Sequence, residues 1–147
     1  MNQWIEKARD FCSYQERCHA DLRSRCKTWG INYADTEQLI VKMIEDGYLN
    51  EERFAKAYCR GKFLYNHWGK NKIAYQLKMK GISPFCIKKG MLELEDLSYE
   101  ETGQKMLVQY YSGLKSMRDY NKKAKSAKFM IGKGFEPELV WKWVELI

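Results

Sequence analysis

The side chains with the most chemistry in this sequence are its cations. From Arg53 to Leu92 there are ten of them, Arg53, Lys56, Arg60, Lys62, Lys70, Lys72, Lys78, Lys80, Lys88 and Lys89, and no acid. From Lys115 to Lys133 seven more face Asp119 alone. The acids gather elsewhere. Glu93, Glu95, Asp96, Glu100 and Glu101 form one cluster, and Asp35, Glu37, Glu45, Asp46, Glu51 and Glu52 are relieved only by Lys42. A surface that merely meets water intersperses the two signs. This pattern predicts a basic face with acidic flanks, suited to a polyanion or an acidic protein groove. Trp68 beside Lys70 and Lys72, and Tyr75 between Lys72 and Lys78, are spaced to stack on bases or cations. Packing between helices is the plainer role for rings in a chain with five Trp, ten Tyr and six Phe.

Bond-making chemistry is harder to find. The two histidines, His19 and His67, are far apart and belong to no HExxH, so zinc catalysis lacks its ligands. The pairs Gly61-Lys62, Gly69-Lys70 and Gly132-Lys133 have no glycine five positions upstream and are not phosphate-cradling loops. Pro137 stands where a dinucleotide fingerprint needs its third glycine, and there is no GxSxG. Adjacent acids such as Glu51-Glu52 fit helix starts better than a carboxylate pair for glycoside chemistry. The five cysteines, at 12, 18, 26, 59 and 86, are odd in number and never spaced as CxxC. They predict buried free thiols rather than disulfides or a zinc ribbon. No catalytic residue, metal or cofactor is expected.

The elements that must position the cations read as helices. A chain of 147 residues and 17.5 kDa is one domain or a row of small modules, long enough to build a core without metal or disulfides. No apolar run approaches the roughly 20 residues of a membrane span, and the first ten residues carry Glu6 and Asp10 rather than a secretion signal, so the expected compartment is the cytosol. Apolar residues recur at helical spacing: Ile73 and Leu77, Ile87 and Met91, Val140 and Val144. Tyr120, Ala124, Ala127 and Ile131 predict a core face opposite Arg118, Lys122, Lys125, Lys128 and Lys133. Phe54, Ala57 and Tyr58 predict one opposite Arg53, Lys56 and Arg60. Ser13–Glu16 and Ser98–Glu101 read as capping boxes, and Asn50 as an N-cap. Pro84 and Pro137 stand at first helical positions. Gly30, Gly47, Gly81 and Gly134, each followed by an apolar residue, read as Schellman stops.

Aligned on these glycines, the chain repeats. Apolar pairs lie six and ten residues after Gly81 and after Gly134. After Gly30 they lie nine and thirteen on, at Leu39 and Met43, which predicts a three-residue insertion in the first copy. Leading helices fit at Trp4–Phe11, Glu51–Tyr65 and Tyr99–Tyr111. The expectation is an all-α chain of three tandem three-helix repeats, 1–49, 50–97 and 98–147, in an elongated, curved arrangement with shared buried surface. Glu93–Glu101 and Ser112–Ser116 are its expected flexible points.

Gly47-Tyr48-Leu49-Asn50-Glu51-Glu52-Arg53-Phe54-Ala55, Trp68-Gly69-Lys70-Asn71-Lys72-Ile73 and Gln76-Leu77-Lys78-Met79-Lys80-Gly81-Ile82 resemble the central region of the RecX family. Phe129-Met130-Ile131-Gly132-Lys133-Gly134-Phe135 resembles that family's last segment, and Ser13 to Leu22, more loosely, its first repeat. The chain departs from the pattern at Phe11-Cys12-Ser13, where common members carry arginine before the serine. The resemblance implies three tandem three-helix repeats. It also implies a non-enzymatic regulator that lies in the groove of the RecA recombinase filament and modulates, mainly by inhibition, its ATP hydrolysis and strand exchange in recombination and repair, with single- or double-stranded DNA as a further partner.

Charge and helical phase then nominate three docking patches: Arg53, Lys56 and Arg60; Lys70, Lys72, Lys78 and Lys80; and Arg118, Lys122 and Lys125. Trp68 is the aromatic anchor. Of these, motif residues such as Arg53 and Lys70 also gain support from the resemblance. A monomer without membrane contact is expected. Two alternatives remain open: a helical DNA-binding module that acts without RecA, and an enzyme whose site would show as a deep pocket with clustered polar groups.

Overall fold

The computed structural model describes residues 1–147 as nine helices and no strand: α1 (Asn2–Tyr14), α2 (His19–Thr28), α3 (Tyr33–Glu45), α4 (Glu51–Asn66), α5 (Lys70–Met79), α6 (Pro84–Glu95), α7 (Tyr99–Gly113), α8 (Asp119–Gly132) and α9 (Pro137–Glu145). They are three triplets in tandem. The punctuation explains most of the boundaries. Gly30, Gly47, Gly81 and Gly134 all have positive φ. The residue after each closes the Schellman bond, as in Ile31 N to Cys26 O, Ile82 N to Leu77 O and Phe135 N to Met130 O. Asn50 caps α4 by accepting from the Arg53 amide at 2.9 Å, and Pro84 and Pro137 open α6 and α9.

Two capping boxes differ from expectation. Ser13 lies inside the last turn of α1, and the cap of α2 comes five residues later, a box made by Cys18 and Asp21; the Cys18 amide donates to Asp21 Oδ2 at 3.0 Å. Burial works to raise the Asp21 carboxyl, but the Cys18 amide and the Lys80 ammonium outweigh it and hold the group below its ordinary range. Ser98 does precede α7, yet its backbone is left-handed and its side chain caps nothing.

The repeat is more regular than the sequence suggested. Eight and four residues before the glycine of each triplet stand Leu22 and Cys26, Ile73 and Leu77, and Ser126 and Met130, all 0% exposed. Six residues after it stand Thr36, Ile87 and Val140; ten after, Ile40, Met91 and Val144. The three-residue insertion expected in the first copy is absent. Thr36 fills the position six after Gly30 and is buried, but as a polar residue it broke the apolar pattern and shifted the reading by almost one turn. In the leading helices Ala8, Ala55 and Gly103 are equivalent, as are Cys12, Cys59 and Leu107, and all are buried.

Two predicted core faces are rotated. On α8 the buried residues are Ser126, Ala127 and Met130, while Tyr120 and Ala124 are exposed. On α4 Ala57 is exposed, and Phe54, Ala55, Cys59 and Phe63 are buried. On α6 Ile87 and Met91 are only half-buried beside buried Cys86, Gly90 and Leu94. All five cysteines are free and buried. Burial pushes the Cys12 thiol up from 9.0 to about 11 and the Cys59 thiol to about 12.

The chain divides into two compact units, and α4, α5 and α6 contribute residues to both. The first comprises Met1–Ala57 and Leu77–Gly90. Its core includes Ala8, Cys12, Leu22, Cys26, Leu39, Ile40, Met43 and Leu49, with Trp4, Phe11 and Trp29 packed against them. The second comprises Tyr58–Gln76 and Met91–Ile147. A run of rings passes through it: Phe63 to Tyr99 at 5.4 Å, Tyr99 to Phe135 at 5.3 Å and Phe135 to Trp143 at 6.0 Å between centroids.

Candidate functional site

The fold sorts the nominated cations into two classes. Five of them meet acids. Arg53 Nε donates to Glu16 Oε2 at 2.7 Å, and the same guanidinium donates to the Gly47 and Tyr48 carbonyls at 3.1 and 3.3 Å, so it fastens the turn between α3 and α4. Lys80 meets Asp21 at 3.0 Å, Lys70 meets Glu95 at 2.8 Å, Lys56 meets Glu52 at 3.1 Å, and Arg60 approaches Glu93 at 4.0 Å. All five acids lie outside the acid-free run: Glu16, Asp21, Glu93 and Glu95 return to it through tertiary structure, and Glu52, just before it, reaches Lys56 along its own helix. The other nominated cations, Lys72, Lys78, Arg118, Lys122 and Lys125, form no salt bridge.

Aromatic rings hold several of those remaining cations. Trp68 is half-buried, with the ammonium of Lys72 4.8 Å and that of Lys62 4.9 Å from its ring centroid. Lys122 lies 4.2 Å over Tyr111, whose hydroxyl donates to Asp119. Lys125 lines a groove of about 560 Å³ with Tyr110, Ala124, Lys128 and Phe129. The Tyr110 and Phe129 rings stack there at 4.0 Å and 7°. Lys78 and Arg118 are exposed and touch no ring. The sequence reading missed Lys62 as a partner of Trp68 and Lys128 as a lining residue of the groove, although both stand in the basic runs. It had no signal for the Tyr110–Phe129 stack, which joins two different helices.

The motif residues around Trp68 have a second, structural task. The Gly69 amide donates to the Lys133 carbonyl at 2.8 Å, the Asn71 amide to the Gly134 carbonyl at 2.9 Å, and Lys133 Nζ to the Asn66 carbonyl at 3.0 Å. The two turns meet backbone to backbone. A Cβ on Gly69 would sit 2.3 Å from Phe135 N, and one on Gly134 would sit 2.3 Å from Lys72 Cβ. Beside this clasp the buried Tyr99 hydroxyl accepts from the Lys70 amide at 2.9 Å and donates to Glu136. Lys70 is thus bound at its backbone by Tyr99 and at its ammonium by Glu95, and that ammonium also lies 4.7 Å over the Tyr99 ring.

Burial, followed by the Glu136 carboxylate, raises the Tyr99 phenol well above its ordinary 10.0. The folded state therefore holds that proton where the unfolded chain releases it. The resulting stability is complete below pH 10 and falls away as pH rises beyond it. Tyr99→Phe leaves the Lys70 amide and Glu136 without their partner. It should cost about 1–3 kcal/mol at neutral pH and flatten the alkaline limb of the stability curve, measured by urea melts from pH 7 to pH 11.

Residues 50–91 match the sequence profile described as "RecX, second three-helix domain". "Regulatory protein RecX" of Lactobacillus johnsonii is 24% identical over 135 residues, which span 92% of this chain and 50% of that protein. The second triplet thus matches a RecX domain, and the chain is similar to RecX proteins along most of its length. It spans about half the length of the curated relatives it matches first. Two crystal structures share the fold of this chain. One described as a regulatory protein RecX superposes with a TM-score of 0.88 at 18% identity, covering 99% of this chain and 73% of that one. RecX from Lactobacillus salivarius superposes with a TM-score of 0.81 at 20% identity, over the full length of both. No helix of this chain is long and apolar enough to cross a membrane.

Proposed function

We propose that this chain is a non-enzymatic regulator that docks on the filament of a RecA recombinase and restrains its ATP hydrolysis and strand exchange. The observation that carries this reading is the set of cations the fold leaves without carboxylates. Lys72, Lys78, Arg118, Lys122 and Lys125 form no salt bridge, while the other nominated cations pair with acids of the chain itself. The tandem triplets, taken as repeats 1–49, 50–97 and 98–147, would each make a weak contact, and a filament offers many equivalent partners, so the sum is tight. Trp68, held between α4 and α5 with Lys62 and Lys72 against its ring, is the proposed aromatic anchor. Arg53, Lys56, Arg60, Lys70 and Lys80 serve this reading chiefly by holding the scaffold.

Co-sedimentation with recombinase filaments on single-stranded DNA, across a salt series and against naked DNA, tests the proposal. A filament regulator prefers the coated strand and reduces ATP turnover. Equal retention on coated and naked strands, with turnover untouched, would replace it with a DNA-binding module that acts alone.

A further inference from the structure

Each triplet hands on to the next through the same two positions. One stands four residues after Cys12, Cys59 and Leu107, at Glu16, Phe63 and Tyr111. The other stands nine residues before the terminating glycine of the second helix, at Asp21, Lys72 and Lys125. At the first junction Glu16 pairs with Arg53 of the next leading helix at 2.7 Å, and Asp21 with Lys80 of the next glycine turn at 3.0 Å. At the second, Phe63 meets Tyr99 of the next leading helix at 5.4 Å between ring centroids. There Lys72 lies so close to the next glycine turn that a Cβ on Gly134 would sit 2.3 Å from its own. Both junctions seat the start of a leading helix and a glycine turn in one socket.

The third triplet leaves that socket open. Tyr111 carries the Lys122 ammonium 4.2 Å over its ring and bonds to Asp119 of its own triplet, and Lys125 is exposed without a salt bridge. The surfaces that would fill it are open on the first triplet. Glu6, equivalent to Arg53, is exposed and forms no salt bridge, as is Asp10 one turn further along α1. The backbone amides of the Gly30 turn bond only within their own helix end. The two open surfaces differ in sign. Lys122 and Lys125 stand on one, and Glu6 with the carbonyl end of α2, where the helix dipole is negative, on the other. The first internal junction uses the same pairing reversed, with acids on the socket and cations on the incoming triplet.

The start of α8 explains why lysines line this socket. The helix begins 15 residues before its glycine, whereas α2 and α5 begin 11 before theirs. The amides of Gly69 and Asn71 at the start of α5 are free to bond the next glycine turn. Their counterparts in α8 lie one turn inside the helix, and the Lys122 amide already donates to the Arg118 carbonyl. Side-chain ammonium groups are the donors left for an incoming turn.

We propose that the third triplet of one copy receives the first triplet of another, so that the chain associates head to tail in place of the monomer expected from its sequence. Tyr111, Lys122 and Lys125 of one copy meet Glu6 and the Gly30 turn of the next. The two faces differ, so the contact is heterologous and can add copies beyond two. It goes beyond the recombinase reading, and its test needs no recombinase.

Sedimentation equilibrium of the chain alone, over a wide range of concentration and at low and high salt, is that test. The mean mass should rise above 17.5 kDa with concentration and fall back as salt screens the cations. Glu6→Lys spoils the incoming face and Lys125→Glu the receiving one. Both side chains are exposed and form no salt bridge, so the urea melts should not move. Each variant alone should associate on the order of tenfold more weakly. Mixed in equal amounts, each brings one sound face, so they should join once and stop at twice the mass of a single chain. The mass of one chain at every concentration overturns the association. Association as strong in either variant as in the parent, or a mixture no heavier than its components, overturns these faces as the contact.

Discussion

Gly69→Ala and Gly134→Ala are expected to be among the most damaging single-methyl changes in the chain, each costing on the order of 3–5 kcal/mol. The added carbon at position 69 would lie 2.3 Å from a backbone nitrogen and 2.4 Å from a backbone carbon, atoms that no rotamer change can move aside. At position 134 the φ of +101° adds backbone strain to a 2.3 Å approach to Lys72 Cβ. Relief requires the two turns to separate, which breaks the bonds from Gly69 to Lys133 and from Asn71 to Gly134 and unseats Phe135 from its ring stack on Tyr99. The sequence itself supplies controls. Gly61 and Gly132 also precede lysine, but each would have an added Cβ in open space. Gly61→Ala, inside α4, should stabilise by about 0.5–1 kcal/mol through helix propensity, and Gly132→Ala, at the last residue of α8, should stay within about 0.5 kcal/mol of the parent. Urea melts followed by circular dichroism read all four. A neutral Gly69→Ala would mean that the backbone clasp does not form.

This contrast marks where the sequence stopped being legible. Three Gly-Lys pairs look alike in one dimension, and only tertiary contact tells the glycine that must be bare from the two that need not be. The helices themselves were readable, because the terminating glycines, the two prolines and Asn50 act within a few residues of chain. The phase of α8 was not. Tyr120, Ala124, Ala127 and Ile131 make a plausible apolar arc, but Tyr120 and Ala124 face solvent while buried Ser126 satisfies its hydroxyl on the Lys122 carbonyl of its own helix at 2.7 Å. A serine in a core and a threonine in a repeat position both defeat a reading that sorts residues by polarity. The charge runs mislead in the same way. They count neighbours along the chain, whereas Asp21 reaches Lys80 across 59 positions and Glu16 reaches Arg53 across 37.

That difference between chain neighbours and space neighbours yields the second large expectation. Lys78→Glu/Lys125→Glu should weaken the proposed recombinase inhibition about ten- to hundredfold, roughly 1.4–2.7 kcal/mol of docking energy, with melting unchanged. Both side chains are exposed and neither forms a salt bridge, so the new carboxylates disturb nothing within the fold. Arg53→Glu removes one positive charge and adds a negative one, as each of those substitutions does, but acts on a different object. It sets a carboxylate against Glu16 and releases the Gly47 and Tyr48 carbonyls, so its deficit should appear in the urea melt. Lys70→Glu behaves likewise by facing Glu95. If the surface were read by net charge alone, every reversal would weaken docking equally per charge and none would alter the melt. Measuring ATP turnover and urea midpoint for each variant at matched concentration separates the two cases. Full inhibition by Lys78→Glu/Lys125→Glu would remove the unpaired cations from the docking mechanism, whatever becomes of Arg53 and Lys70.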